Sequence, residues 1–127
     1  TRNRVRHDIM PLLRRENPSF ATTARQLWEL ARIDAEYWEK ALPVIAPPME
    51  EYWLCQSDLD LRQALRLRIY KSVLDAMGPG QVLARHLLLL DRAWMRKNRG
   101  RSIQFPGDKI ASVEAEGIRF HQKCRQR

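Results

Sequence analysis

Cysteine is almost missing from this 127-residue chain: Cys55 and Cys124 are the only two, and neither sits in a CxxC pair. Two isolated cysteines make no multi-bridge framework, metal knuckle or redox motif, so a reducing, cytoplasmic setting is expected. Long apolar runs are missing too. The longest runs from Leu87 to Leu90, far below the roughly 20 residues a bilayer span needs, and no membrane partner is expected. No charged-then-apolar leader opens the chain. Glycine is scarce, with five in all, and none belongs to a phosphate-cradling GK[ST] loop. GxSxG and HExxH are absent as well. His7, His86 and His121 lie far apart, with no nucleophile at a recognisable spacing. The residues therefore predict no catalytic group, no cofactor site and no metal site in this chain.

What is present suits one globular domain. Apolar residues make up 44% and charged residues 30%, enough apolar material for one core and too much for a disordered chain. The first residue is Thr1, so a piece of a longer protein is expected. Charge is the most informative feature. Lysine and arginine total 23 against 15 acids, and the excess is uneven: residues 1–16 carry +3, residues 17–60 carry −5, residues 61–91 carry +3 and residues 92–127 carry +7. Basic ends around an acidic middle point to a polyanionic partner.

Four segments have helical periodicity. In the first, Arg2 to about Glu16, Val5, Ile9, Leu12 and Leu13 share one side. Pro11 removes a backbone donor and crowds the preceding turn, so a kink or two short helices is predicted. Asn17-Pro18 stops and restarts the helix, with Asn17 as N-cap and Pro18 in the first helical position. The second helix should run from Pro18 to about Leu42, with Phe20, Ala24, Leu27, Ala31, Ala35, Trp38 and Leu42 in steps of three and four. It reads as a packing element whose tryptophans belong to the core. Pro43, Pro47 and Pro48 end it, and in the connector that follows Met49, Tyr52, Trp53 and Leu54 suit a short helical turn. Asp58 or Asp60 can cap a third helix, laddered by Leu61, Leu65, Ile69, Val73 and Met77 and closed by Gly78. The fourth, about Gln81 to Arg96, turns Leu83, Leu87, Leu90 and Trp94 inward, with His86 at the boundary.

After Asn98-Arg99-Gly100 the period changes to two. Ile103 and Phe105 alternate with Ser102 and Gln104, Pro106-Gly107 suits the centre of a type II turn, and Lys109 to Ala115 continues as a strand. Glu116-Gly117 offers another reversal before Ile118 and Phe120. The expected fold is mainly α: a four- to five-helix domain with a small C-terminal β-hairpin appendage, residues 1–97 forming the helical body and 98–127 the hairpin and basic tail.

The opening Arg2-Asn3-Arg4-Val5-Arg6-His7-Asp8-Ile9-Met10-Pro11-Leu12-Leu13, followed by Asn17-Pro18, resembles the "RNxIRHxxLPxL…NP" stretch of the tRNA(Ile)-lysidine synthases. Ala64-Leu65-Arg66-Leu67-Arg68-Ile69-Tyr70 is similar to that family's "ALRRR" helix, and Ile103-Gln104-Phe105-Pro106-Gly107 to its "LPGG" hairpin. Val5, Met10 and Asp108 depart from the pattern, the last where a second glycine is common. The resemblance implies a parent ligase that adenylates the wobble cytidine of an isoleucine tRNA with ATP and Mg2+, then joins lysine to it. The ATP-binding SGGxDS motif would lie on an N-terminal catalytic domain outside this chain. Residues 1–127 would form the single tRNA-recognition domain, partnered by that catalytic domain and by isoleucine tRNA, and the family suggests a homodimer.

On this reading Arg4, Arg6 and His7 carry over from the family motif as RNA contacts or as an interdomain seam. Arg92, Arg96, Lys97, Arg99 and Arg101, a run without an acid, are read as RNA contacts on electrostatic grounds. Arg62, Arg66 and Lys71 read as a solvated basic face, and Arg119, Lys123, Arg125 and Arg127 as a frayed tail. Two competing functions stand beside this one. A helical protein-docking domain would expose an apolar stripe at Val5, Ile9 and Leu12. A helix-turn-helix at Gly78-Pro79-Gly80 is the weaker, because its second helix offers Leu87 to Leu90 where polar base-readers belong.

Overall fold

The computed structural model describes residues 2–46 and 50–123. The chain divides into two compact units, Thr1–Ala41 and Leu42–Arg127.

The first unit is wholly helical: α1 (Arg2–Arg4), a π-helical stretch (Val5–Ile9), α2 (Met10–Glu16) and α3 (Phe20–Ala41). Pro11 does not split the first segment in two. The chain widens into π-helix just before the proline, and the Met10 N–H bonds back to the Val5 carbonyl. Such a turn makes room for the ring, which a regular α-turn would press against the carbonyl four residues earlier. Asn17 caps as predicted: its Oδ1 accepts the Ser19 N–H at 3.0 Å, and its carbonyl accepts the Phe20 N–H at 3.0 Å. The long helix forms, but its role as a packing element is overturned. No residue of α3 is buried, and Leu27, Trp28 and Tyr37 are 63%, 67% and 65% exposed. Within its own unit α3 has only the shorter helical segment before Asn17 to pack on, too little surface to cover a 22-residue helix.

The second unit contains β1 (Glu51–Cys55), α4 (Gln56–Leu59), α5 (Gln63–Ala76), α6 (Ala84–Met95), β2 (Ser102–Phe105), β3 (Lys109–Val113) and β4 (Gly117–Gln122). The sheet is antiparallel in the order β1-β4-β3-β2. It has one strand more than the two or three expected, and that strand comes from the connector. Tyr52, Trp53 and Leu54 are β rather than a helical turn, pairing with Phe120, Arg119 and Ile118; Met49 lies outside the described residues. An edge partner for β4 outweighs local helical tendency here, because it lets Leu54 enter the core.

The sheet is the expected small β addition to a mainly α fold, and it packs directly on the helices. Ile103, Phe105, Ala111, Val113, Ile118 and Phe120 share one core with Ile69, Tyr70, Val73, Leu74, Leu87 and Leu90. The two compact units divide after Ala41, and within the second the helices and the sheet share this core. The class stays mainly α with a small C-terminal sheet. Asp58 caps α4 instead of α5, accepting the Cys55 N–H at 3.1 Å. Helix α5 then starts at Gln63, preceded by Arg62 with no side-chain cap. Helix α6 starts at Ala84, which leaves Leu83 exposed. Gly107 has φ +82, as the second central place of a type II turn requires. A Cβ there would strike the Pro79 carbonyl, just as one on Gly80 would strike that of Pro106. The two turns thus dock backbone to backbone.

Candidate nucleic-acid interface

The basic run is built by the end of α6 and the turn into β2. Helix α6 closes in a Schellman arrangement: the Asn98 N–H donates to the Ala93 carbonyl at 3.0 Å, and the Lys97 N–H to that of Trp94 at 2.9 Å. Lys97 takes the left-handed position with φ 54, where glycine is usual because a Cβ is penalised there. The Arg99 N–H then donates to the Lys97 carbonyl at 2.8 Å. The Gly100 N–H reaches the Val113 carbonyl at 2.7 Å, and the Val113 N–H returns to the Arg101 carbonyl at 2.9 Å. The turn is therefore stitched to β3, and its cations stand on an ordered backbone.

Arg92, Arg96, Lys97, Arg99 and Arg101 are all exposed. Among the described residues none of the five has a carboxylate partner. They contrast with Arg119 and Lys71 of this unit, while Arg62, Arg85 and Lys123 are likewise exposed and without a carboxylate partner among the described residues. Arg119 is held between Glu114 at 2.8 Å and Glu51 at 3.7 Å. It belongs to β4, so it is no part of a frayed tail; Arg125 and Arg127 lie outside the described residues. Lys71 pairs with Asp75 at 2.5 Å.

Arg66 corrects the expectation of a solvated face. It is 7% exposed and grips Asp91 with two bonds, Nε to Oδ1 at 2.7 Å and Nη2 to Oδ2 at 3.2 Å. Its Nη1 also donates to the Leu61 carbonyl. Gln63 Nε2 and the Tyr70 hydroxyl complete the carboxylate's partners at 3.0 and 3.3 Å. The Asp91 hydrogen bond raises the Arg66 guanidinium above its ordinary value, and burial, with Asp91 beside it, pushes the Tyr70 phenol well up. A signal was present: Arg66 precedes Ile69 and Tyr70 by three and four places, and Asp91 follows Leu87 by four. Opposite charges thus lie on the apolar stripes of two adjacent helices. Lys109 is a second buried cation, unsuspected in the alternating strand. Its Nζ donates at 2.8 Å to the carbonyls of both Leu74 and Gly78, closing the end of α5. Burial lowers its pKa, partly offset by Asp75.

Lys97 and Arg99 face a cleft of about 420 Å³ together with Gln56, Asp60, Trp94 and Met95. In the other unit, Arg6 lines a separate shallow groove with Arg2 and Arg14; Arg4 and His7 are exposed but do not line it. Four-residue steps along an α-helix drift by about 40°, and the π-helical stretch takes back part of that drift, keeping Arg2, Arg6 and Arg14 in line. Their spacing by four and eight was the available signal. Val5, Ile9 and Leu12 are 42%, 47% and 54% exposed. His86 holds the boundary position expected of it, edge-on to Phe105 with ring centroids 6.1 Å apart.

No protein-family model matches the chain, and no solved structure matches it. It is 40% identical over 141 aligned positions to the tRNA(Ile)-lysidine synthase of Nitratidesulfovibrio vulgaris, an alignment covering 94% of this chain. The chain spans 41% of that relative's length. Along nearly its whole length, the chain is related by sequence to the tRNA(Ile)-lysidine synthase family.

Proposed function

We propose that this chain is a tRNA-recognition domain of a lysidine-forming ligase, holding isoleucine tRNA by its backbone while a separate catalytic domain modifies the wobble cytidine. One observation carries the reading: five exposed cations without carboxylate partners among the described residues, set on a hydrogen-bonded turn, in a chain whose relative is named for tRNA. Unpaired cations on an ordered backbone suit phosphates, because they give up no ion pair on binding and need little reordering. Arg4, Arg6 and His7 serve as a second contact region, with Arg2 and Arg14 beside Arg6.

ATP and Mg2+ are assigned to the catalytic domain of the parent enzyme. The residues here do not fit them: the sequence has no glycine-rich phosphate loop, and the described residues include no cluster of three His, Cys, Asp or Glu that could hold a metal ion. The exposed stripe at Val5, Ile9 and Leu12 is assigned to the seam with that domain. A cytoplasmic setting follows from the proposed substrate.

Filter binding of isoleucine tRNA at two salt concentrations tests the proposal. Affinity should fall with salt by a log–log slope of about −0.7 to −0.9 per phosphate contact. Charge reversal at Arg96, Lys97 and Arg99 should weaken binding more than reversal at Arg25 and Arg32. Equal losses, or binding indifferent to salt, would remove the case. Dimerisation of the chain through the Val5–Ile9–Leu12 stripe without RNA binding would favour the protein-docking alternative instead.

A further inference from the structure

We infer that the cleft between α4 and the end of α6 is a seat for a single unpaired nucleotide, its base against Trp94 and Met95 and its phosphate on Lys97 and Arg99. The inference rests on the RNA-binding reading and adds to it what the cleft takes. A volume of about 420 Å³ lies within the range of small-molecule sites, roughly 300–1,000 Å³, and is too small for a helical stem. Its walls differ in chemistry. Trp94 is half-buried and Met95 is 60% exposed, and both line the cleft; an indole ring and a thioether are groups against which a base can pack. Gln56 and Asp60 supply hydrogen-bonding groups for a base edge.

Of the other charges in the lining, Asp60 is a carboxylate without an ion-pair partner among the described residues, at the base-edge side of the proposed seat, and two are matched. Arg66 is bound to Asp91 and Glu114 to Arg119, so the cations left to meet an anion are Lys97 and Arg99. A ligand that combines a π-face, hydrogen-bonding edges and a phosphate answers all three features.

The backbone at Lys97 supplies an independent argument. A left-handed φ of 54 in a Schellman turn is the place where glycine costs least. Among the described residues the Lys97 ammonium has no carboxylate partner, so no ion pair offsets the backbone cost. A residue held in an unfavourable backbone conformation in the lining of a cleft points to a ligand.

Lys97→Gly separates the two roles. NMR titration of the whole chain with the four 5′-mononucleotides, the matching nucleosides and inorganic phosphate should shift the Trp94 indole N–H and the Gly100 amide. The mononucleotides should act most strongly. The K97G chain should melt at a higher temperature than wild type and bind mononucleotide about tenfold more weakly, the scale of one charged hydrogen bond. Trp94→Leu should lose a comparable factor through stacking, and Arg99→Gln provides a second charge test on an unchanged backbone. Unaltered mononucleotide affinity in both K97G and R99Q overturns the inference, as do shifts confined to residues outside the cleft. Salt-dependent tRNA binding without any mononucleotide shift at Trp94 overturns the cleft assignment and leaves the tRNA reading standing. Mononucleotide binding at Trp94 with no affinity for tRNA does the reverse.

Discussion

The two units use the same kind of sequence to opposite ends. Helix α3 carries an apolar stripe over its whole length, yet none of its residues is buried. Helix α5 is shorter and carries Arg66 on its apolar side, yet five of its residues are buried. The difference lies in what each helix meets within its own unit. Helix α5 has α6 beside it and a sheet beneath; α3 has a single helical segment joined through Asn17. Amphipathicity says which side of a helix is apolar. Whether that side becomes core depends on a second layer.

The sharpest way to test that contrast is the buried charge. Asp91→Ala should destabilise the protein by about 3–5 kcal/mol, because Arg66 is left buried without its carboxylate. The midpoint of urea unfolding would report it, and a loss below about 1 kcal/mol would mean that the pair is wetter than the structure has it. Apolar truncation comes next. Leu90→Ala, at a position with no exposure, should cost about 2–5 kcal/mol, while Leu27→Ala in α3 should stay within about 0.5 kcal/mol. Similar costs at the two positions would erase the contrast between the units.

Alkaline pH gives a smaller and more specific effect. The Tyr70 phenol ionises well above 10.0 in the folded protein, chiefly because it is buried. Above pH 10 the unfolded chain sheds a proton that the folded chain keeps, so stability falls as pH rises. Tyr70→Phe should lose less stability than wild type between pH 9 and 11; parallel curves would place the effect on another group. The smallest change is expected at Arg32, whose pair with Glu36 spans 3.6 Å on an exposed face. Arg32→Ala should shift stability by less than about 0.5 kcal/mol.

Much of the local architecture was readable from residue spacing, because helices and turns depend on near neighbours. Asn17, Pro18, Gly78 and Pro106-Gly107 marked their boundaries through restricted backbone angles and side-chain capping. Asp108 shows the same logic: at φ 57 it occupies a left-handed position that aspartate tolerates better than most residues. Strand β1 was not readable. Glu51 to Cys55 is too short to outweigh its neighbours, and it became a strand because β4 offered an open edge more than sixty residues away. Of the site, Arg92, Arg96, Lys97, Arg99 and Arg101 were visible as a run without acids. Their separation from Arg66, a cation of the same sort bound to Asp91, was signalled only by the place of Arg66 and Asp91 on apolar stripes, and the pairing itself needed the two helices to meet.

The order of the residues determined by itself where the helices start and stop, where the chain reverses, and that residues 92–127 carry most of the net positive charge; all of these are read within short stretches of the chain. Tertiary structure alone decided which apolar stripe met a second layer, which cations found carboxylates, and that a lysine would close a helix from a strand. Those outcomes depend on groups tens of positions apart in the chain, brought together only when the sheet and helices share a core.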